Sequence, residues 1–471
     1  MQKTSQLIVL LVLAGAAFGQ INPCWAQFTE QLLHSFGAAQ DGQTPAYNGL
    51  IQARDGAWYG TTSYGGTNSA GTAFKLNSDG SGYVVLYSFG AGGIDGKCPS
   101  ATLLQGLDGA LYGTTVNGGT NDAGTVFRLK TDGSGYGVLY NFRTNATDGK
   151  YPHAGLVQDA GGTLYGTTPY GGSNAVANYG GIVFALNPDG SDYSVLYSFR
   201  NYTSNDGQNP SGVVLGRDGA LYGTTYIGGT NAGGTVFKIN TNGSGYTDLY
   251  SFRGFPDDGW NPIGLVQGAD GALYVTTHTG GSNYGGGTVC RLSTDGTSYT
   301  LLYSLLSDTT AQLPCATAVQ GADGALYGMT SLGGAGGSGT VFKLNTNGTG
   351  YADLLSFTTD SGGHNPLAPL TLGDDGAWYG TTSAGGGNGL GTVFRLTPLP
   401  PQLISLGLQA DKTFQFSLFG ASNFTYCIEA STDLLHWIAL TNIINRAGAV
   451  RLTDPAAPGL AQRFYRAVWR P

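Results

Sequence analysis

The sequence predicts an all-β protein: a seven-bladed β-propeller of four-stranded blades, closed by an N-terminal strand, with a small C-terminal β-sandwich behind it. Three observations carry this. One phrase returns seven times, as GAWYGTT (56–62), GALYGTT (109–115), GTLYGTT (162–168), GALYGTT (219–225), GALYVTT (271–277), GALYGMT (324–330) and GAWYGTT (376–382). Its tyrosines, at 59, 112, 165, 222, 274, 327 and 379, stand 52 to 57 residues apart, a period that signals a repeat architecture. Of 471 residues 81 are glycine and only 11% are charged, against about 25% in ordinary globular chains, which suits turn-rich β structure. Finally, the GTVF phrase has seven copies but the LYSF phrase that follows it has six, and a spare copy, LLHSF at 32–36, precedes the first repeat.

From the N-terminus, residues 7–18 (LIVLLVLAGAAF) follow a single Lys3 and lead to small residues, the layout of a secretory signal peptide. Twelve apolar residues fall short of the ~20 that a spanning helix needs. Residues 1–26 are therefore expected to leave as a signal, with cleavage after Ala26 or, alternatively, after Gly19. The mature protein is expected to be secreted or held in the cell envelope, outside the cytoplasm. No later segment is apolar enough to cross a bilayer.

Five cysteines, at 24, 98, 290, 315 and 427, are too few and too scattered for a disulfide framework. Cys290 stands where other repeats have Phe and reads as core filling. The net charge of −8, from 21 basic and 29 acidic residues, includes no basic run to meet a phosphate backbone, which argues against nucleic acid as a partner.

The propeller is expected over 27–397. Residues 103–142 display one unit, with strand-like runs LLQ, ALYGTT, GTVFRLK and YGVLYNF separated by DG, GGTND and TDGSG. Asp-Gly between β-formers is a strong hairpin signal, because glycine tolerates the positive φ of the turn. In GTVFRLK, Val126 and Phe127 point to opposite faces, so both faces of the sheet need cover. A sheet stacked between two like sheets meets that need. One unit of this size would be marginal alone. Residues 29–36 are expected to pair with 391–396 and supply the missing outer strand of the seventh blade.

After the Pro-rich linker PLPP (398–401) the period stops. Within 402–471, the segments 412–419, 424–430, 437–442, 448–453 and 463–469 alternate as strands of a small sandwich.

The loops between outer and next inner strand, and between second and third strands, share one face, here called the top. It carries DG-x-x-P segments, such as Asp95 with Pro99 and Asp148 with Pro152, and GG-x-N segments. Asp, Asn and Gly are first of all turn residues, and the clustered carboxylates of a good calcium site are lacking. Neither a cofactor nor a metal is predicted. Gln52, Gln105, Gln158, Gln267 and Gln320 end five inner strands and read as polar lining near the lower rim of a channel.

Specificity should sit where repeats disagree. The two positions after the Thr pair vary, as does the residue after the loop proline (Ala46, Ser100, His153, Ser211, Ile263, Cys315, Leu367). From these sets Tyr64, Asn117, His153, Tyr170, Tyr226 and His278 are the candidate binding residues, aromatic groups suited to stack on a glycan or on an extracellular protein or peptide. Accidental loop decoration is the competing explanation. A monomer is expected.

Chemistry finds less support. Glycoside hydrolysis takes two carboxylates about 5 to 9.5 Å apart, yet the only glutamates are Glu30 and Glu429, and nearly all aspartates in the repeats recur as turn residues. The five histidines (34, 153, 278, 364, 436) are dispersed, and His34 replaces a repeated Tyr. No H-E-x-x-H and no G-x-S-x-G stands in the chain. No catalytic residue is assigned. The expected role is a non-enzymatic binding scaffold, with an extracellular carbohydrate hydrolase, lyase or oxidase as the alternative.

The linked phrases DGALYGTT, GGTN, GTVFKLN, DGSGY and LYSF, in fixed order over 28–396, resemble the GloVer repeat of secreted bacterial proteins, the choice-of-anchor tandem repeat GloVer-containing group. The resemblance implies a secreted or cell-surface repeat protein of unassigned activity. The cadence is also similar to NHL-type propellers. Departures are Gly161-Gly162 for Asp-Gly, Val275 for Gly, Met329 for Thr and Thr310-Ala311 for the loop Asp-Gly. The phrases YCIEASTDLLHW and RFYRAVW resemble a C-terminal fibronectin- or immunoglobulin-like module. Neither an LPXTG signal nor a terminal helix is legible in it. A ring followed by a sandwich also resembles galactose-oxidase-like enzymes, but the ligands of that copper site have no matching motif here.

Overall fold

The computed structural model describes residues 28–470, except 38–39, 46, 48, 146, 174–178, 201–205, 257, 283–284, 306–310, 360–361, 399–400, 410–412, 421–423, 446–448 and 457–461. The signal segment, Cys24, Ala46, Thr310 and part of the PLPP linker lie outside the described residues. Among those residues all regular structure is β-strand, and no helix is long and apolar enough to cross a membrane. The chain divides into two compact units, Gln31–Arg395 and a smaller one that takes in Leu396–Pro471.

In the larger unit each repeat forms its own antiparallel sheet. In the second repeat Leu111–Gly118 is central. It pairs on one side with Gly96–Pro99 and Leu104–Gln105, and on the other with Thr125–Leu129, which pairs in turn with Gly137–Asn141. The seventh sheet runs Phe28–Ser35, Thr392–Pro398, Trp378–Thr382, Thr371–Leu372, so its outer strand comes from the N-terminal side of the chain. There the Phe36 amide donates to the Gly391 carbonyl at 3.1 Å and the Gly387 amide to Ser35 Oγ at 2.8 Å.

The tyrosine, the second glycine and the second threonine of the repeated phrase each have a physical task. The tyrosine is buried, and its hydroxyl donates to the hairpin aspartate, as in Tyr112 to Asp108 at 2.9 Å and Tyr222 to Asp218 at 2.8 Å. A basic residue opposite the tyrosine on the next strand completes the group, Arg128 at 2.8 Å and Lys238 at 2.7 Å from those carboxylates. The glycine faces a phenylalanine: a Cβ on Gly113 would lie 2.5 Å from the Phe127 ring, and one on Gly223 2.4 Å from Phe237. In the fifth repeat Val275 takes the glycine position, and the residue paired with it is Cys290, so the larger side chain meets a smaller partner. The second threonine shares a hydrogen bond with the threonine of GTVF, as in Thr115 with Thr125 at 2.8 Å.

Other recurrent residues join one sheet to the next. The glycine of GTVF lies against the loop proline of the following repeat. A Cβ on Gly124 would be 2.7 Å from Pro152, one on Gly234 2.5 Å from Pro262, and one on Gly391, in the last repeat, 2.7 Å from Pro45 of the first. The residue before that proline has positive φ in all seven repeats, whether Thr44, Cys98, Tyr151, Asn209, Asn261, Leu313 or Asn365. This left-handed backbone is unfavourable for most of them. In compensation it aims the amide at the preceding repeat: Cys98 N donates to Ala70 O at 2.8 Å and Tyr151 N to Ala123 O at 2.9 Å.

The five glutamines also bridge sheets. The Gln105 amide accepts from Arg54 N at 2.9 Å while donating to Gly109 O at 3.1 Å, and Gln52 accepts from Asp374 N at 2.8 Å. Sequence reasoning placed these side chains on a channel rim and did not detect this stapling.

The loop aspartate is a clamp. Asp148 is buried and accepts from Tyr140 at 2.8 Å and from Tyr193 of the next repeat at 2.5 Å, and the two rings stack with centroids 3.6 Å apart. Asp95, Asp206 and Asp258 do the same with their own tyrosine pairs. At the junction of seventh and first sheets His34 stands in for the first tyrosine, 3.0 Å from Asp41 and stacked on Tyr83, which also donates to Asp41.

The smaller unit has two three-stranded antiparallel sheets. One contains Gln402–Leu408, Phe414–Phe419 and Ala449–Asp454, the other Ile438–Asn445, Phe424–Ser431 and Phe464–Arg470. Tyr465 of the second sheet stacks on Phe414 of the first and donates to Asp454 at 3.0 Å. The strand Gln402–Leu408 was not among those expected.

Candidate functional site

The segments following the seven loop prolines converge on one hollow of about 590 Å³, to which every repeat contributes at least one residue, from Tyr47 in the first to Leu367 in the seventh. Five of the variable post-proline residues line it: His153, Ser211, Ile263, Cys315 and Leu367. The segments arrive there because the positive-φ residue and the Gly–Pro contact fix the chain just upstream.

Of the sequence candidates, His153 and Tyr226 line this hollow together. Tyr64, Asn117, Tyr170 and His278 are not among its lining residues. Tyr64 is exposed beside the Gly42–Gln43 strand. Asn117 pairs with Lys97 and receives the Thr115 hydroxyl on its carbonyl at 2.9 Å. Tyr170 pairs with Lys150, its ring edge-on to Tyr151 at 6.1 Å. His278 Nδ1 sits 2.7 Å from the Pro314 carbonyl. Sequence reasoning missed Tyr47, Asn209 and Cys315 as lining residues, although Cys315 belonged to the variable post-proline set.

Among the described residues the lining of the hollow contains no Asp, Glu, Lys or Arg. His153 is exposed, yet the walls around it partly desolvate its ring and hold its pKa below the ordinary imidazole value. Desolvation, and next the neighbouring Tyr47, push the Tyr226 phenol up. Burial pushes the Cys315 thiol up to about 11. A protonated thiol is a poor nucleophile, so the hollow offers hydrogen-bond donors, acceptors and apolar walls rather than an activated attacking group. Among the described residues no group of three His, Cys, Asp or Glu is arranged to hold a metal.

No curated protein matches this chain. Among solved structures it is similar to the extracellular domain of a protein described as a hybrid two-component system of B. thetaiotaomicron, at 12% identity and a TM-score of 0.53, over 91% of this chain and 55% of that one. This chain thus spans about half the length of that neighbour, and the likeness concerns the fold alone. A protein described as a 6-phosphogluconolactonase from Bacteroides uniformis aligns at 15% identity and a TM-score of 0.45, over 87% of this chain and 100% of that one. The Gloeobacter/Verrucomicrobia repeat model matches residues 14–178, 173–316 and 254–430, together most of the sequence. With the phrase, its period and its sheet-to-sheet contacts in place, the chain belongs to the Gloeobacter/Verrucomicrobia repeat family.

Proposed function

We propose that residues 27–397 form a closed seven-bladed β-propeller, that the protein works outside the cytoplasm, secreted or at the cell surface, and that it is a non-enzymatic binding scaffold whose top face receives a glycan or an extracellular protein or peptide. The observation that carries the binding reading is the division of labour between repeated and variable residues. Repeated ones bond within or between sheets, whereas variable post-proline residues collect in one hollow. Closure is supported by contacts from the last repeat to the first. Thr381 donates to Pro45 O at 3.2 Å, Thr371 donates to Leu50 O at 2.6 Å, and Trp58 stacks on Tyr379 at 3.9 Å. Tyr64, Asn117, Tyr170 and His278 are assigned to the rim around the hollow, with His153 and Tyr226 inside it. The C-terminal unit is assigned as a fibronectin- or immunoglobulin-like module.

Glycan and peptide arrays probed with the full chain test this. Retained ligand that is lost on Tyr226→Ala and His153→Ala, without turnover, is expected. Polysaccharide turnover abolished by replacing a single Asp or His would overturn it.

A further inference from the structure

The hollow is not symmetric. Between loop proline and the end of the inner strand the chain advances six residues in the second, third and sixth repeats (Pro99 to Gln105, Pro152 to Gln158, Pro314 to Gln320), but five in the fourth and fifth (Pro210 to Leu215, Pro262 to Gln267). The missing residue changes the backbone. Where the loop is longer, the inner strand is broken in two, as Gly96–Pro99 and Leu104–Gln105. In the shortened repeats it is continuous, Gly207–Leu215 and Gly259–Gln267, with a bulge after Pro210 and after Pro262.

The neighbouring threonines register the loss. At longer loops the first threonine of the phrase bonds across to the next repeat: Thr61 to Ala101 O at 3.4 Å, Thr114 to Ala154 O at 3.2 Å, and Thr276 from Ala318 N at 3.0 Å. Thr167 and Thr224, which precede the two shortened loops, are buried, and their hydroxyls have no partner among the described residues. The same holds for the side-chain oxygen of Asn209, which lines the hollow beside the first shortened loop. A buried polar atom left without a partner is destabilising, and the adjacent shortened loops leave two such threonines in successive repeats. Of these three residues only Asn209 lines the hollow; the two threonines are buried behind the shortened loops, and the hollow's size falls in the range of small-ligand sites, roughly 300 to 1,000 Å³.

We infer that the hollow is a one-sided pocket, opened by the shortened loops of the fourth and fifth repeats, that takes the end of an uncharged pyranose chain. The inference rests on the binding reading above and names its ligand class. A charged sugar would enter without a counter-charge, and burying an unpaired charge is strongly unfavourable. A neutral pyranose presents alternating C–H faces and hydroxyl edges. The C–H faces suit Tyr47, Tyr226 and the wall of Ile263 and Leu367, and the hydroxyls suit Asn209 and Ser211.

The test is calorimetric titration of the full chain with neutral hexasaccharides (cello-, malto-, xylo- and mannohexaose), and with oligogalacturonate and chitosan hexamer as charged probes. One neutral probe is expected to bind, with affinity falling at least tenfold in Asn209→Ala. It is expected to be lost in a variant carrying one added alanine between Ser211 and Gly212 and another between Ile263 and Gly264, which restores the longer loop. If that double insertion fails to fold, Asn209→Ala and Ser211→Ala carry the test, with Ile94→Ala as the unaffected control. Preference for a charged probe would overturn the inference, as would binding by none of the six. Neutral binding lost in Tyr64→Ala and Tyr170→Ala but intact in Asn209→Ala and the insertion variant would overturn the pocket while leaving the scaffold reading standing.

Discussion

Gly113 and Phe127 are register partners, as are Gly223 with Phe237 and Gly328 with Phe342, and in each pair the ring occupies the space a Cβ would take. Val275 with Cys290 is the same pair with its volume redistributed. Cysteine at 290 was legible as core filling and valine at 275 as a departure, but their pairing was not, because the sequence does not show which residues of adjacent strands face each other. A double-mutant cycle in the second repeat tests the relation. Gly113→Val alone is expected to cost about 1 to 3 kcal/mol by overpacking, and Phe127→Cys alone about 3 kcal/mol through the cavity it leaves. Because the partners touch, the double variant should fall short of the sum by at least about 1 kcal/mol. Urea unfolding of the four proteins measures this. Strict additivity would show that the fifth repeat's exchange is coincidence.

Strands were the most legible elements, since Asp-Gly turns and the recurring phrases delimit them, and the spare LLHSF identified an outer strand without a repeat of its own. Side chains tying one strand to another sheet were less so. Asp41 reads as an ordinary turn residue, and only the fold reveals that it is buried between His34 of the N-terminal strand and Tyr83 of the first repeat. Burial alone would raise its pKa, but hydrogen bonds from His34 and Tyr83 outweigh this and hold the carboxyl below the usual aspartate value. An aspartate with a depressed folded-state pKa adds stability that is full above its unfolded value, near 3.8, and disappears as pH falls through the folded value. Asp41→Asn is therefore expected to be less stable than the parent at pH 6, with the gap closing as pH falls below about 4. Thermal melts from pH 7 to pH 2 check this, and a gap independent of pH would remove the ionised clamp from the account. A second expectation concerns the whole strand. Deleting residues 1–36 leaves Thr392–Pro398 as an unpaired edge, which favours association, so light scattering should show oligomers that the full chain does not form.

At the scale of the molecule the recurring phrases marked out antiparallel sheets of four or five strands, whereas the sidedness of the hollow was hidden in a one-residue difference between loops. The seams are not uniform either. Between the sixth and seventh repeats the clamp is changed, since Leu355 replaces its first tyrosine and the outer strand of the seventh sheet is not supplied by a DGSGY phrase. Tryptophan replaces leucine in the phrase only at Trp58 and Trp378, and these rings pack on Tyr379 and Tyr327, at the two seams that flank the seventh sheet. The sheet whose outer strand is joined by no hairpin thus has a tryptophan packed at the seam on either side. In the proposed closed ring every sheet has two neighbours, so no sheet is terminal, whereas an open array would lose structure from its ends, where stability is the sum of fewer interfaces. Native-state hydrogen exchange of the full chain separates the two. Closure requires middle-strand amides of Trp58–Thr62 and Trp378–Thr382 to exchange as slowly as those of Ala220–Gly228, because all open only with the cooperative unit. Trp58→Ala, expected to cost about 3 to 5 kcal/mol, should then speed exchange in the fourth repeat as much as in the first. A gradient of protection from the fourth repeat outward, or an effect of Trp58→Ala confined to the first sheet, would mean that the seventh and first sheets touch without closing the ring.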